Sequence, residues 1–375
     1  MGLFSKKESY LGIDIGAHGI KLVELHKTKG RPQLWTYGIA DEPIDIHLSQ
    51  VHEKTVEDLT YQDKDKTKTS KKDLLVQPDD PRIKKYAKLL KELLKEAKVT
   101  TNKATASLPV SYIFHAVVTL PTVEENEVTH MINAEIKKMS SRPIEEMQVV
   151  YQKIPESTED KDKKYNRYLV TAAPKELVEF YTAIFQRAGL ELQELETEAF
   201  AVERSLVGHD KATVMVVDIG AERTNFFIID QSLPLTHRSI TVGGDYLDNI
   251  IKKALDVEDS LVGQIKKDLS RSKEILDPEV FVSMLDPIIK EIEYSFDLFL
   301  SQTGNQGKRP EKIILTGGSS VLPFIKDELS KKFPMKVFVG DPWARVIHQE
   351  GFKVVLDGIG SRMSVAIGLA LRNIV

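Results

Sequence analysis

Apolar and polar positions along this chain set out strands in pairs. Residues Tyr10–Leu25 (YLGIDIGAHGIKLVEL) run apolar up to Asp14, break at Gly16 and Gly19, and resume with β-prone residues at Ile20. That pattern predicts strand, tight turn, strand, and Pro32–Ala40 predicts a third strand beside them. Thr213–Asp230 (TVMVVDIGAERTNFFIID) repeats the grammar around Asp218-Ile219-Gly220-Ala221. The second copy comes roughly 200 residues later, too far along for a solenoid repeat. The repetition predicts two similar α/β halves, each presenting one turn to a shared cleft.

Helical spacing marks the remaining elements. Ile83, Ala87, Leu90, Leu94 and Ala97 predict a helix over 83–97; Leu177, Tyr181, Ile184 and Ala188 predict another, opened by Pro174 and stopped at Gly189. Leu190–Leu195 predicts a strand, and Glu196–Leu206 a helix connecting the halves. Further helical regions are expected at Tyr246–Leu276, Asp286–Thr303, Leu322–Phe333 and Met363–Ile374. In the last of these, Ala366, Gly368 and Ala370 permit close packing. Residues 104–173 have a different texture. Strands are expected at Ala104–Leu108, Tyr112–Leu120, Met147–Ile154 and Tyr165–Ala173, with a helix opened by Pro121 and rich in early acids. This predicts a small β-β-α-β-β block inserted in the first half. Asp41–Pro81 lacks periodic apolar positions, and Asp63–Asp73 is nearly all charge and threonine, as in a solvated insertion.

The expected division is therefore residues 1–103, 174–212 and 355–375 for the first lobe and 104–173 for the inserted subdomain. Residues 213–245 and 308–354 form the second lobe core, with 246–307 as its helical subdomain.

Composition narrows the function. With 375 residues, a net charge of −4 and no cysteines, the chain gives no general reason to expect nucleic-acid binding. Disulfides and thiolate metal sites are excluded, which fits a cytoplasmic protein. No apolar run is read as reaching the about 18 residues needed to cross a bilayer. Met1–Lys7 lacks the apolar core of a signal peptide, and Lys6 breaks the myristoylation pattern. The expectation is a soluble protein. His52-Glu53 is followed by Val56 where a zincin needs histidine, Gly307-Lys308 is followed by Arg309 where a Walker loop needs Ser or Thr, and no Gly-x-Ser-x-Gly elbow occurs.

Three turns carry the candidate chemistry. Gly16 and Gly19 after Asp14, and Gly220 after Asp218, allow backbone N–H groups to approach an anion with no Cβ in the way. Asp-x-Gly also punctuates ordinary hairpins; the second copy is what makes a shared anion site the better account. Gly317-Gly318-Ser319 lies between a strand and a helix, where the macrodipole favours an anion. Lys21, facing away from Ile20 and Leu22, can swing onto a phosphate, and Thr224 and Asn225 supply donors. Asp14 and Asp218 suit water-mediated Mg²⁺, an ion that keeps most of its waters. Glu196 and Glu198 at the crossover can orient a water, or can serve a helix start.

These residues resemble the superfamily of actin, sugar kinases and chaperone ATPases, with Asp14–Lys21 as phosphate-1 turn, Asp218–Asn225 as phosphate-2 turn and Gly317–Ser319 as adenosine turn. Within it the chain looks most like the PilM family of type IV pilus assembly proteins, relatives of the cell-division protein FtsA. That likeness rests on the opening GLFSKK…LGIDIG…KLVEL, SLP at Ser107–Pro109, LP followed by acids at Leu120–Glu127, and RSITVGG at Arg238–Gly244. It continues in TGGSSVL at Thr316–Leu322, the DPW of Asp341–Trp343 and AIGLALR at Ala366–Arg372.

The resemblance implies an α/β, actin-like, ribonuclease-H-like duplicated fold of two lobes, with a small α+β subdomain inserted in the first. It implies ATP with Mg²⁺ between the lobes, phosphates on Gly16, Ala17, His18, Gly19 and on Gly220–Asn225, and a cleft lined by Gly243, Gly244 and Asp245. Lys266 and Lys267 would reach the adenosine. Its implied partner is the N-terminal cytoplasmic peptide of a PilN-type membrane protein, held in a groove beside the inserted block. Other pilus components and self-association are compatible with it, membrane association would be indirect, and the place would be the inner face of the cytoplasmic membrane. Ala17-His18 stands where relatives carry serines, and Gly263 where related ATPases often have glutamate. Binding with slow or absent hydrolysis is therefore the expectation. The alternatives are an FtsA-like filament, for which the ending at Val375 supplies no amphipathic tail, and a small-molecule kinase, for which neither base nor substrate pocket is evident.

Overall fold

Two five-stranded sheets with one topology organise the chain, in a computed structural model that describes residues 8–44, 80–155, 164–270 and 278–374. The first contains β1 (Ser9–Gly16), β2 (Gly19–Thr28), β3 (Arg31–Ala40), β4 (Lys103–Leu108) and β8 (Glu191–Thr197), in the order β3-β2-β1-β4-β8. The second contains β9 (Val214–Ile219), β10 (Thr224–Asp230), β11 (Leu233–Ile240), β12 (Lys312–Thr316) and β13 (Lys336–Val339), in the order β11-β10-β9-β12-β13. In each, the first three strands in sequence form antiparallel pairs and the last two run parallel to the first. The duplication expected from the two Asp-Ile-Gly turns is thus a duplication of whole sheets.

Strand alternation decides what covers each face. Leu11, Ile13, Ile15, Ile20 and Leu22 pack on α1 (Pro81–Glu96) and α3 (Lys175–Ala188), through Leu90, Phe180 and Ile184 among others. Helix α1 starts at Pro81, a residue pre-shaped for the first helical position, and Asp80 caps it by accepting from the Arg82 amide at 2.8 Å. On the second sheet, Met215, Val217, Phe226 and Ile228 face α5 (Gly244–Leu255), α6 (Asp259–Leu269), α7 (Val282–Ser301) and α8 (Pro323–Lys332).

Two helices lie between the sheets. Val214, Val216, Phe227 and Ile229 of the second sheet meet Ala199 and Val202 of α4 (Glu198–Val202) and Val365 and Leu369 of α9 (Lys353–Leu371). The other side of α9 offers Met363, Ala366, Ile367 and Ala370 to Val23 and Leu25 of the first sheet. A Cβ at Gly368 would fall 1.8 Å from the Ala201 carbonyl oxygen, so glycine there sets how closely α9 crosses α4. Residues Glu350–Leu371 are long and apolar enough to span a bilayer, contrary to the reading of the sequence, yet 67% of that apolar stretch is buried inside the protein. A helix pressed between two sheets is apolar all round for that reason.

The inserted subdomain has a three-stranded antiparallel sheet, ordered β5 (Phe114–Pro121), β7 (Tyr165–Pro174), β6 (Met147–Lys153). Its own small core joins Val118, Leu120 and Val170 to Val128, Ile132 and Ile136 of α2 (Glu125–Met139). Three expectations change. Residues 104–108, read as the block's first strand, pair with β1 and β8 in the first sheet instead, because their small and apolar side chains are buried on both faces. Pro121 closes β5 at a sheet edge rather than opening α2, a place where its missing N–H costs nothing. The final helix begins ten residues before Met363. The opening Met1–Lys7, the charged stretch Asp63–Asp73 and most of the loop over 156–164 lie outside the described residues.

Candidate functional site

The three turns singled out in the sequence meet at one cavity of ≈ 350 Å³ between the sheets, within the size of ordinary ligand pockets. Antiparallel register places Lys21 opposite Asp14, with Lys21 Nζ 3.5 Å from Asp14 Oδ2, and Ser107 Oγ donates to Asp14 Oδ1 at 3.1 Å. Gly19 has φ +118, and a Cβ there would lie 1.8 Å from the Ala40 carbonyl oxygen. Only glycine fits where the chain leaving β3 passes over the turn. That passing segment is fixed by Ile44 N donating to Ala17 O at 2.7 Å.

The second turn is built by the same register logic. Asn225 lies opposite Asp218, donates to Glu198 Oε2 at 3.4 Å, and accepts from Ser239 Oγ at 2.8 Å. Gly244 N and Asp245 N donate to Gly220 O and Ala221 O at 2.9 and 2.8 Å, tying the start of α5 to this turn. Gly317, with φ +88, comes so near Asp218 that a Cβ would be 2.5 Å from its Oδ1. His18 Nε2 reaches the Asp245 carboxylate at 3.1 Å, from the first turn to the head of α5.

Asp14, Gly16, Ala17, His18, Lys21, Asp218, Gly220, Asn225, Gly244, Asp245, Lys266, Gly317, Gly318 and Ser319 all line this cavity. Gly19, Thr224, Gly243 and Lys267 are not among its lining residues. Thr224 is fully buried and donates its hydroxyl to Val242 O at 2.6 Å, so it holds the turn rather than facing the cavity. Gly243 likewise packs under the turn, 2.5 Å from Ala221 O were it to carry a Cβ. The third turn does not present a helix N-terminus. Helix α8 begins only at Pro323, and the amides of Gly317, Ser319 and Ser320 donate to Ser361 O, Ile219 O and Gly317 O.

Glu196 and Glu198 part company. Glu196 and Thr197 still pair in β8, so the crossover helix starts two residues later than its sequence suggests. Glu196 is buried against the guanidinium groups of Arg204 and Arg372, away from the cavity. Glu198 lines it and accepts from Val110 N at 3.2 Å. Burial, reinforced by Asp14 and Asp218, pushes the Glu198 carboxyl up to about 8. Burial and then Asp14 raise Asp218 to about 6, against the opposing pull of Lys21 and Asn225. Yet among the described residues no group of three or more His, Asp or Glu stands close enough to grip a metal directly.

Sequence reasoning missed Ser361, Arg362, Ser364 and Val365 of α9, which line the same cavity. Their signal was a short polar interruption, Ser361-Arg362-x-Ser364, in an otherwise apolar helix.

A second hollow of ≈ 570 Å³ lies between the first and inserted sheets. It is flanked by β6 and β8, each the outer strand of its sheet. Gln148, Val150 and Gln152 line it from β6, and Leu192 to Thr197 from β8, with Glu194, Glu196 and Arg372 at one side. Val150 is 57% exposed there.

A family model described as type IV pilus assembly protein PilM matches residues 12–374. Among solved structures, a PilM–PilN type IV pilus biogenesis complex is similar at TM-score 0.76 and 22% identity, covering 98% of each chain. The ethanolamine utilization protein EutJ from Carboxydothermus hydrogenoformans is similar at TM-score 0.54 and 15% identity, covering 97% of this chain and 90% of its own. These likenesses show the fold, which is the actin-like one.

Proposed function

The chain belongs to the type IV pilus assembly protein PilM family, and from that premise we propose that it is a nucleotide-binding scaffold of the pilus assembly machinery. The observation that carries this reading is the convergence of two like turns, from two like sheets, on one cavity. In this reading ATP lies between the lobes with its phosphates on Gly16–Lys21 and Gly220–Asn225, and Lys266 with Gly317–Ser319 and Arg362 face the nucleoside. Asp14 and Asp218 hold Mg²⁺ through its waters. The Asp218 carboxyl, raised first by burial and then by Asp14, suits a cation held through its own hydration shell. Lobe boundaries follow the sheets in this reading, so residues 104–108 move from the inserted subdomain to the first lobe.

The PilM–PilN likeness supports a PilN-type partner, and in this reading the N-terminal peptide of that membrane protein is seated in the hollow between β6 and β8. Two unpartnered strand edges facing one hollow with apolar lining suit an extended peptide, which adds main-chain hydrogen bonds to an edge and side chains to pockets. The protein would then sit on the cytoplasmic side of the inner membrane and touch it only through that partner. Turnover is slow or absent in this reading, because the first turn offers Ala17 and His18 and no hydroxyl donor to the phosphates.

Two measurements test it. Mg-ATP at a hundredfold excess over Kd should stabilise the protein by about 2.7 kcal/mol, read as a rise in melting temperature; no rise removes the nucleotide. A PilN-type N-terminal peptide should be retained by the immobilised protein. Failure of the peptide alongside phosphorylation of a metabolite would favour a kinase.

A further inference from the structure

The mouth of the cleft contains a contact that phosphate binding alone does not explain. His18 sits at the tip of the β1–β2 turn, carried by the first sheet, and Asp245 is the second residue of α5, carried by the second. Their side chains are 47% and 42% exposed, yet His18 Nε2 is 3.1 Å from the Asp245 carboxylate. Because the Asp245 and Gly244 amides are bound to Ala221 and Gly220, this one contact joins the first turn to the second. On the other side of the mouth Arg362 of α9 pairs with Asp41, just after β3, and its stem lies 3.6 Å from where a Gly318 Cβ would be.

We propose that His18 and Asp245 form a clasp between the two lobes that must part to let an anionic nucleotide in or out. The chemistry favours a gate over a permanent ligand pair. Asp245 places a carboxylate where the polyphosphate must pass, which repels it, while His18 is the group the phosphates would attract. A ligand bearing phosphates therefore competes with Asp245 for His18. The pair is solvated, and exposed pairs of this kind are weak, so it opens readily. Its loss should speed nucleotide entry by about two- to fivefold, the factor that such a contact supplies. This inference rests on the nucleotide reading only for what passes through the gate, not for the contact itself.

The chain has no cysteine, so a double variant, His18→Cys with Asp245→Cys, carries the only two thiols. A short reversible thiol crosslinker should join them in the empty protein, and a failure to join them would overturn the clasp. With the link closed, Mg-ATP added afterwards should produce no rise in melting temperature, ATP loaded beforehand should stay bound, and reduction should restore exchange. Free exchange through the closed link would overturn the gate. In the otherwise native chain, His18→Ala, Asp245→Ala and the double substitution should loosen the two turns to the same extent, read by amide hydrogen exchange without nucleotide. Additive effects would show that the two side chains do not act together. If the unmodified protein does not respond to Mg-ATP at all, the nucleotide reading fails, while crosslinking and hydrogen exchange still decide the clasp.

Discussion

Replacing Glu198 by glutamine should make the empty protein more stable, a result opposite to the usual effect of altering a buried polar residue. Its carboxyl is raised to about 8, with burial as the first cause. A carboxyl whose folded value lies above its unfolded one contributes stability that is fully present below the unfolded value, near 4.5, and is lost as pH rises through about 8. Between pH 4.5 and pH 7 the loss comes to about 3 kcal/mol, at about 1.36 kcal/mol per pH unit. Glutamine never ionises, so it avoids that loss. It also keeps the local bonds, since Val110 N and Asn225 Nδ2 both donate to the same oxygen, Oε2, which an amide carbonyl can replace. The assay is urea or thermal unfolding of both proteins without nucleotide from pH 5 to 9. Asp218 and Glu203, the latter raised to about 7 by its own burial, titrate in this window in both proteins, so the difference between the two curves isolates Glu198. That difference should be about 1 kcal/mol at pH 5 and widen to about 3 kcal/mol by pH 7. A glutamine variant that is less stable at pH 7, or a difference independent of pH, would refute the reasoning.

The other predictions address the cleft, the seam between subdomains and the hollow. Asp14→Asn and Lys21→Met should each abolish the Mg-ATP rise in melting temperature; Lys21→Met should also cost stability, because it leaves Asp14, 6% exposed, without its cation. An undiminished rise in both would clear the first turn of any role. His115 of β5 and His237 of β11 lie with ring centroids 4.7 Å apart and planes tilted by 35° in the seam between the inserted and second sheets, and burial holds them down to about 4 and about 3. Their lowered values mean stability present above about 6.5 and lost as pH falls toward 4, by at most about 1.4 kcal/mol per pH unit for each. His115→Gln with His237→Gln should flatten that acid limb, and an unchanged slope would disprove the assignment. Val150→Glu puts a charge on the open edge of β6 and should abolish peptide retention while shifting melting little; full retention would move the partner elsewhere.

Legibility followed the range of the forces involved. The turns after Asp14 and Asp218 were readable because strand alternation and glycine turns are local, and register then had to set Lys21 over Asp14 and Asn225 beside Asp218. Thr224 shows the limit, for its turn chemistry is equally suited to a phosphate or to Val242 O, and only packing chose the second. Glu196 and Glu198 show it again. Two residues apart and alike in type, they were indistinguishable until the strand-to-helix change between them sent one to Arg204 and Arg372 and the other into the cavity.

The amino-acid order by itself determined that there are two like halves, that each offers a glycine turn after an aspartate, and that an extra block interrupts the first. Those features depend on neighbours a few positions apart. Tertiary structure alone decided that strand 103–108 belongs to the first sheet, that α9 lines the cavity, and that His18 meets Asp245 across its mouth. Each of these joins segments far apart in the chain, and such contacts are set by which apolar faces must be buried together, a condition no local window contains.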